Sequence, residues 1–234
     1  MKIKLFTIPN LLTLSNLFCG SVAVVSALVW GDLKLAFGLM VLAAVFDFFD
    51  GFAARLLNQS SPIGLQLDSL ADDISFGLAP AAIMYSLYQW MPGIWLPEGY
   101  PGLVVFVFTA CAALRLAKFN IDENQTTQFI GLPSPASALL VAASGYLVGT
   151  GQYAVGPWFA VGLAAVLSYL LVCNVPMFAL KFKHYGFRGN EVRYIFAVCA
   201  LLSLAIWHIV AIPFIIVAYV AVSLAVRAAC FRKS

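Results

Sequence analysis

Long apolar runs are the feature of this sequence that most constrains its fold. A helix that crosses a membrane needs about 20 consecutive, mostly apolar residues. Hydropathy divides the 234-residue chain into eight such segments joined by short connections, at about 8–29, 34–57, 62–90, 102–119, 133–150, 155–178, 193–208 and 210–229. The sequence therefore predicts an all-α integral membrane protein, a single domain over residues 1–234 built as a bundle of about eight transmembrane helices.

Composition excludes several other classes of protein. The chain is 63% hydrophobic and only 10% charged, whereas a soluble globular domain has about 25% charged residues. A soluble enzyme, a disordered chain and a basic nucleic-acid-binding domain are therefore excluded, and no nucleic-acid partner is expected. The lipid bilayer is the expected environment.

The basic residues predict the orientation in the membrane. With eight spans, almost every Lys and Arg falls on one side, and only Lys34 falls on the other. Cytoplasmic segments carry the excess of Lys and Arg, and tryptophan concentrates at the membrane interfaces. All five tryptophans map to the opposite, outer ends of the predicted spans: Trp30, Trp90, Trp95, Trp158 and Trp207. This pattern predicts a multi-pass cell-membrane protein with both termini in the cytoplasm.

Five aspartates stand within 27 positions of otherwise apolar sequence: Asp47, Asp50, Asp68, Asp72 and Asp73. Each Asp at the centre of a membrane helix costs about 2.5–3.5 kcal/mol on insertion scales. Arg55 is the one basic residue in this stretch, and a single guanidinium cannot compensate five carboxylates. The cluster therefore points to a function.

The spacing of these aspartates predicts that four of them meet. Asp47 and Asp50 are three residues apart and Asp68 and Asp72 four apart, so each pair lies on one helix face. A turn at 58–62 separates the two helices and places both pairs roughly 10–15 Å from it along a hairpin. Carboxylate oxygens are the ligands that Mg²⁺ and Mn²⁺ prefer, and four carboxylates suit two ions. Two ions that clamp a phosphorus centre are a recurring device of phosphoryl chemistry.

The turn itself predicts an anion site at the cytoplasmic ends of the two helices. Ser60 or Ser61 can cap the second helix, Pro62 suits its first position, and Gly64 leaves room near its N-terminus. Free backbone N–H groups at such an end attract a phosphate, and the Arg55 guanidinium could bind a diphosphate. Taken alone, the glycines Gly51 and Gly64 are equally typical of tight helix packing.

Residues 47–72 read D-F-F-D-G-F-A-A-R, eight further residues, then G-L-Q-L-D-S-L-A-D. This stretch resembles the signature of the CDP-alcohol phosphotransferase family. Every fixed position matches: Asp47, Asp50, Gly51, Ala54, Arg55, Gly64, Asp68 and Asp72. Four softer segments, at 8–20, 72–80, 115–120 and 129–136, resemble the membrane-integral phosphatidylserine synthase branch, although Lys118 stands where branch members often have Arg.

The resemblance implies a reaction and a set of residue roles. The family transfers a phosphatidyl or related group from a CDP-alcohol to a second alcohol and releases CMP, with divalent metal. The branch implies CDP-diacylglycerol and L-serine as substrates, and family members commonly form homodimers. The implied metal ligands are Asp47, Asp50, Asp68 and Asp72, with Asp72 also the base. The residues implied to bind the CDP moiety are Gly51, Ala54, Arg55 and Gly64.

Several other polar residues have two readings. Arg115, Lys118 and Asn120 could hold the serine carboxylate, or the two cations could be positive-inside anchors. Asn10, Thr13 and Asn16 share one helix face and could line the substrate path or hydrogen-bond between helices. Ser134, between two prolines, is better explained as a helix cap than as a substrate contact, and His184 as a lipid-headgroup contact rather than a base.

The sequence is compatible with two alternative functions. The acceptor could be another alcohol, such as glycerol 3-phosphate or an inositol, although a phosphorylated acceptor would need more cationic groups near the site. An ion-coupled transporter could also use intramembrane aspartates. Such transporters have broken helices or repeat symmetry, which the sequence lacks, and a transporter leaves Gly51, Ala54 and Arg55 unexplained.

Overall fold

The structure is a computed structural model that describes residues 5–89, 100–121, 129–177 and 190–231. Nine α-helices lie in these ranges: α1 (Ile8–Val25), α2 (Leu33–Leu56), α3 (Pro62–Asp72), α4 (Ala79–Gln89), α5 (Val107–Ile121), α6 (Ser134–Gly149), α7 (Pro157–Val172), α8 (Glu191–Trp207) and α9 (Ala211–Phe231). Two π-helical segments, Ser26–Trp30 and Asp73–Leu78, extend α1 and join α3 to α4. Two 3₁₀ segments, Tyr100–Phe106 and His208–Val210, precede α5 and α9.

Over the residues that the structure describes, each predicted apolar segment lies mostly on helix. Among the described residues, four helical runs are long and apolar enough to cross a membrane: Ile8–Trp30, Leu33–Leu56, Pro101–Ile121 and Glu191–Ala225. The apolar helices Ser134–Gly149 and Pro157–Val172 are shorter. The structure thus agrees with a helical membrane protein, while eight spans and cytoplasmic termini stay predictions. Part of the evidence for them lies outside the described residues, which exclude Trp90, Trp95, His184 and the basic residues of 1–4, 178–189 and 232–234.

Short polar side chains fix where the first three helices begin. The Thr7 hydroxyl accepts a hydrogen bond from the Asn10 N–H at 3.4 Å. The Asp32 carboxylate accepts the N–H groups of Lys34 and Leu35, each at 3.0 Å. Ser61 caps α3 and Pro62 opens it, so the predicted turn between α2 and α3 is observed. Each cap satisfies a backbone donor that has no partner inside its helix.

Helix α1 holds the aspartate-bearing helices in place. It packs along α2, and it also packs on α3 and the Asp73–Leu78 segment, whereas α2 and α3 hardly touch each other. Gly20 allows this approach, because a Cβ at this position would clash with the Ser75 side chain. The Ser75 hydroxyl also donates to the Asn16 carbonyl at 3.1 Å. The space between α2 and α3 is therefore left for the candidate site.

The later helices form the core around this unit. Helix α6 packs on α2, α4 and α9, and α7 packs on α4 and α5. Two short strands, β1 (Phe129–Ile130) and β2 (Pro176–Met177), pair in antiparallel fashion and join the chain before α6 to the chain after α7. Gly131 adopts a φ of 76°, and its N–H donates to the Val175 carbonyl at 2.8 Å. This positive φ favours glycine, and the turn sets the start of α6 beside α5.

Helices α8 and α9 form the edge of the bundle. His208, at φ 50°, separates them, close to where the sequence places the boundary between the last two segments. The rings of Phe196 and Tyr219 lie 6.0 Å apart, so the chain reverses direction at this break. None of the residues of α8 is buried.

Candidate active site

The structure brings the four spaced aspartates together between α2 and α3. One carboxylate oxygen from each of Asp47, Asp50 and Asp68 lies within 4.8 Å of the others. The Asp72 carboxyl group is within hydrogen-bonding reach of Asp47. Asp50 is buried, with 6% of its surface exposed, and the other three are half-buried. Four acidic groups this close repel one another when ionised, so the arrangement calls for a compensating cation.

Two of the polar side chains on α1 contact this cluster. The Thr13 hydroxyl donates to Asp50 Oδ2 at 2.6 Å, and the Asn16 amide Nδ2 donates to Asp72 Oδ1 at 3.2 Å. Asn10 instead donates to the Leu5 carbonyl at 2.9 Å. Hydrogen bonding between helices therefore holds for Thr13 and Asn16, while Asn10 and Thr13 also line the cavity beside the aspartates. In the sequence, the helical spacing of Asn10, Thr13 and Asn16 is the one sign of these contacts, and it does not indicate that the partners are Asp50 and Asp72.

A cavity of about 180 Å³ opens beside the aspartates. Its lining combines α1, α2, the turn and α3: Pro9, Asn10, Thr13, Asp50, Gly51, Ala54, Gln59, Ser60, Ser61, Gly64, Leu65 and Asp68. Five fixed positions of the signature therefore share one surface. Arg55 is exposed in the last turn of α2, next to Ala54 at the edge of this cavity.

The two signature glycines differ in their surroundings. A Cβ at Gly51 would meet no atom of the described residues within 4 Å, so helix packing does not explain this glycine, and the open space lies on the cavity. A Cβ at Gly64 would lie 3.2 Å from both Asn10 Oδ1 and Ser61 Oγ. Gly64 thus permits the close approach of α1 and the cap, and its N–H is bound by Ser61 Oγ at 3.1 Å.

Asp73 is separated from the cluster by the turn of the helix. Its Oδ1 is buried and has no hydrogen-bond partner among the described residues. A Cβ at Gly77 would lie 2.7 Å from this oxygen and 3.2 Å from Ala112 Cβ. Asp73 therefore points toward α5, whereas its neighbour Asp72 points toward Asp47.

The three residues that could bind the serine carboxylate, Arg115, Lys118 and Asn120, do not lie together. Asn120 Nδ2 donates to Ser69 Oγ at 2.7 Å, and the exposed Lys118 Nζ donates to Asn174 Oδ1 at 2.7 Å. Only Arg115 is directed inward, where it interacts electrostatically with Asp72. Arg115 and Lys118 do share the wall of a second cavity, of about 270 Å³, that is closed by the end of α7.

Ser134 is the partner of Arg115 and not a helix cap. Arg115 Nη1 donates to Ser134 Oγ at 2.8 Å, while the first turn of α6 has no side-chain cap. The expectation that Ser134 caps this helix is therefore wrong, because its hydroxyl is engaged by a cation from α5. Arg115 Nε is buried and has no partner within the described ranges.

The donor set at the aspartates fits a hard divalent cation. Two oxygens that bind one ion lie at most about 4.2 Å apart for Mg²⁺ and about 4.6–5.2 Å apart for Ca²⁺, so carboxylate oxygens within 4.8 Å of one another are close to the spacing that one ion requires. All of these ligand atoms are carboxylate oxygens, and Thr13 fixes one of the carboxylates by donating to it. The cluster could therefore hold a divalent cation.

Comparison with known proteins gives one consistent result. A family model described as CDP-alcohol phosphatidyltransferase matches residues 6–173. A protein from Bacillus subtilis (strain 168), named CDP-diacylglycerol–serine O-phosphatidyltransferase, is 33% identical over 185 residues, which cover 79% of this chain and 94% of the relative. Proteins of the same name from Methanocaldococcus jannaschii and Mycobacterium bovis are 30% and 34% identical. Those alignments cover 86% and 75% of this chain, and 85% and 62% of the relatives.

Proposed function

The chain belongs to the CDP-alcohol phosphatidyltransferase family, and we propose that it is a CDP-diacylglycerol–serine O-phosphatidyltransferase. In this reaction the serine hydroxyl oxygen forms a bond to the phosphatidyl phosphorus, the bond from that phosphorus to CMP breaks, and CMP leaves. The products are phosphatidylserine and CMP. The observation that carries the proposal is the convergence of four aspartates beside a cavity lined by the signature glycines, in a chain whose relatives bear this name.

Asp47, Asp50, Asp68 and Asp72 would hold two divalent cations, Mg²⁺ or Mn²⁺. When bound, these cations would neutralise the charge that develops on the phosphate oxygens. The cavity beside Asp50 would take the CDP moiety, with Gly51 leaving room for it and Gly64 forming part of the opposite wall. Ala54 lines the same wall, and Arg55 at the rim would bind the diphosphate through its guanidinium.

Asp72 would accept the proton of the serine hydroxyl. A hydroxyl group is a poor nucleophile until a base or a metal activates it. Of the four aspartates, Asp72 is the one that interacts electrostatically with Arg115. A serine whose carboxylate is bound by Arg115 would therefore bring its hydroxyl toward this end of the cluster. Lys118 and Asn120, which have partners of their own, would have secondary roles.

We extend the proposal to the membrane topology. Eight spans would place both termini and the catalytic site on the cytoplasmic side of the cell membrane, in a single domain. Arg55 ends α2, and Lys118 lies in the last turn of α5, which supports one basic, cytoplasmic side. A second copy of the chain as partner rests on the family resemblance alone.

A panel of acceptors tests the proposed function. Purified protein with CDP-diacylglycerol should release CMP when L-serine is added, and not when glycerol 3-phosphate or inositol is added. The Asp50→Asn variant controls for contaminating activities, because it removes a proposed metal ligand. Release of CMP with glycerol 3-phosphate and not with serine would agree with the family assignment but show that serine is not the acceptor.

Replacing Arg115 should affect serine selectively. Arg115→Ala should raise the KM for serine about tenfold or more, because hydrogen bonds to charged groups contribute about 1.5–3 kcal/mol, and should leave the KM for CDP-diacylglycerol nearly unchanged. Ser134→Ala is the matched control, since it removes the contact partner of the guanidinium and keeps the cation. Steady-state kinetics with each substrate varied in turn measure both constants. Loss of lipid affinity at constant serine KM would assign Arg115 to the lipid or to the bundle.

A further inference from the structure

Helix α1 reaches both of the helices that carry the aspartates. Thr13 donates to Asp50 on α2 and Asn16 donates to Asp72 on α3, across 37 and 56 residues of sequence. We propose that Asn16 is a positioning residue that sets the orientation of the Asp72 carboxylate. The proposal rests on the proposed function, in which Asp72 is the base.

The hydrogen bonding of Asn16 is incomplete in a way that packing does not explain. The side chain is fully buried, at 0% exposure. Its Nδ2 donates to Asp72 Oδ1 at 3.2 Å, whereas its Oδ1 has no hydrogen-bond partner in the part of the chain that the structure describes. A buried acceptor without a partner is unfavourable. The bond to Asp72 is therefore the contact that accounts for an amide at this position.

The orientation of the amide also follows from this contact. If the amide were turned over, Asn16 Oδ1 would face Asp72 Oδ1, and two acceptor oxygens would lie against each other. With Nδ2 toward Asp72, one carboxylate oxygen is engaged and the other is left for a substrate proton or a cation. Asp47 and Asp68 are acidic and repel Asp72, and Arg115 attracts it, so Asn16 is the uncharged donor to this carboxylate.

The backbone around Asn16 is fixed relative to the segment that carries Asp72. The Ser75 hydroxyl donates to the Asn16 carbonyl at 3.1 Å, and Gly20, one turn further along α1, packs directly on Ser75. Asp72 and Ser75 lie one turn apart, on either side of the junction between α3 and the π-helical segment. Ser75 thus joins the same two segments through the Asn16 backbone and not through the Asp72 carboxylate, which makes it a control for loss of packing between them.

The test compares Asn16→Leu with Ser75→Ala. Asn16→Leu keeps a similar volume and removes the donor, and we expect a loss of about 10–100-fold in kcat or in Mn²⁺ affinity, as outer-shell partners of ligating carboxylates typically give. The KM values for both substrates should stay within about threefold, because Asn16 does not line the cavity proposed for the CDP moiety. Mn²⁺ affinity is measured by electron paramagnetic resonance without substrate, which gives a readout independent of turnover. Ser75→Ala breaks the other bond between the same segments, and it should lower the thermal midpoint without this loss.

A double-mutant cycle separates positioning from packing. In the Asp72→Asn background, Asn16→Leu should add no more than about a threefold loss in the affected quantity, since residues that act through each other are not additive. Where Asp72→Asn leaves no measurable turnover, the cycle is read on Mn²⁺ affinity. An undiminished effect in that background, no effect in the wild type, or the same loss in Ser75→Ala would each overturn the proposal. The wild-type assay tests the acceptor separately, and a different acceptor would simply be used for the same variants.

Discussion

Removal of divalent cations should abolish turnover, and added Mg²⁺ or Mn²⁺ should restore it. Asp47, Asp50 and Asp68 each place an oxygen within 4.8 Å of the others, and Asp72 adds a fourth acidic group. Without a cation these groups repel one another, and the phosphate of the substrate would add further negative charge. CMP release by chelator-treated protein, before and after metal is returned, measures the effect.

Two controls make this result specific to the site. Chelator already saturated with Mg²⁺ should not inhibit, which excludes an effect of the chelator on the lipid or the detergent. The thermal midpoint of the metal-free protein should show that it is still folded. Full activity after verified metal removal would contradict the two-cation site formed by the four aspartates.

Asp72→Asn should lower kcat by about 10²–10⁴-fold, the usual contribution of a general base. The KM for CDP-diacylglycerol should change much less, although the separation is partial because Asp72 is also a proposed ligand. Asp50→Asn should weaken both turnover and lipid binding, since Asp50 lines the cavity and accepts from Thr13. Single-turnover CMP release measured over a range of lipid concentrations gives the rate and the lipid affinity separately and so distinguishes the two variants.

Asp73→Asn is the matched control for Asp72→Asn. The two residues are adjacent and acidic, but Asp73 Oδ1 lies against Gly77 and toward Ala112 on α5, away from the other aspartates. We expect its loss to be much smaller than that of Asp72→Asn. Equal losses would show that the base cannot be assigned to Asp72 on the present geometry.

The convergence of the four aspartates could be predicted from the sequence, because it depends only on two neighbouring helices and the turn between them. A helix rises about 1.5 Å per residue with 3.6 residues per turn. The spacing of Asp47, Asp50, Asp68 and Asp72 around a recognisable turn therefore specifies their faces and depth. Ser61 and Pro62 mark the start of α3 by their own chemistry. The sequence offered no comparable signal for the π-helical segment after Asp72, which interrupts a single apolar run.

Other features of the site depended on how distant helices pack. Thr13 contacts Asp50 and Asn16 contacts Asp72 across long stretches of sequence. These contacts exist because α1 packs on both α2 and α3. Helices that are apolar on most faces carry little amphipathic signal to show which side faces a neighbour.

The different directions of the Arg115 and Lys118 side chains also depend on how distant helices pack. Both are cations near the end of one helix, yet Arg115 turns inward to Ser134 on α6, and Lys118 turns outward to Asn174 beyond α7. The residues that share a helix face could be read from the spacing of the sequence, because the backbone fixes the helical repeat. Which faces meet depends on how the helices pack, because the partner of a polar side chain comes from a segment that sequence spacing does not relate to it.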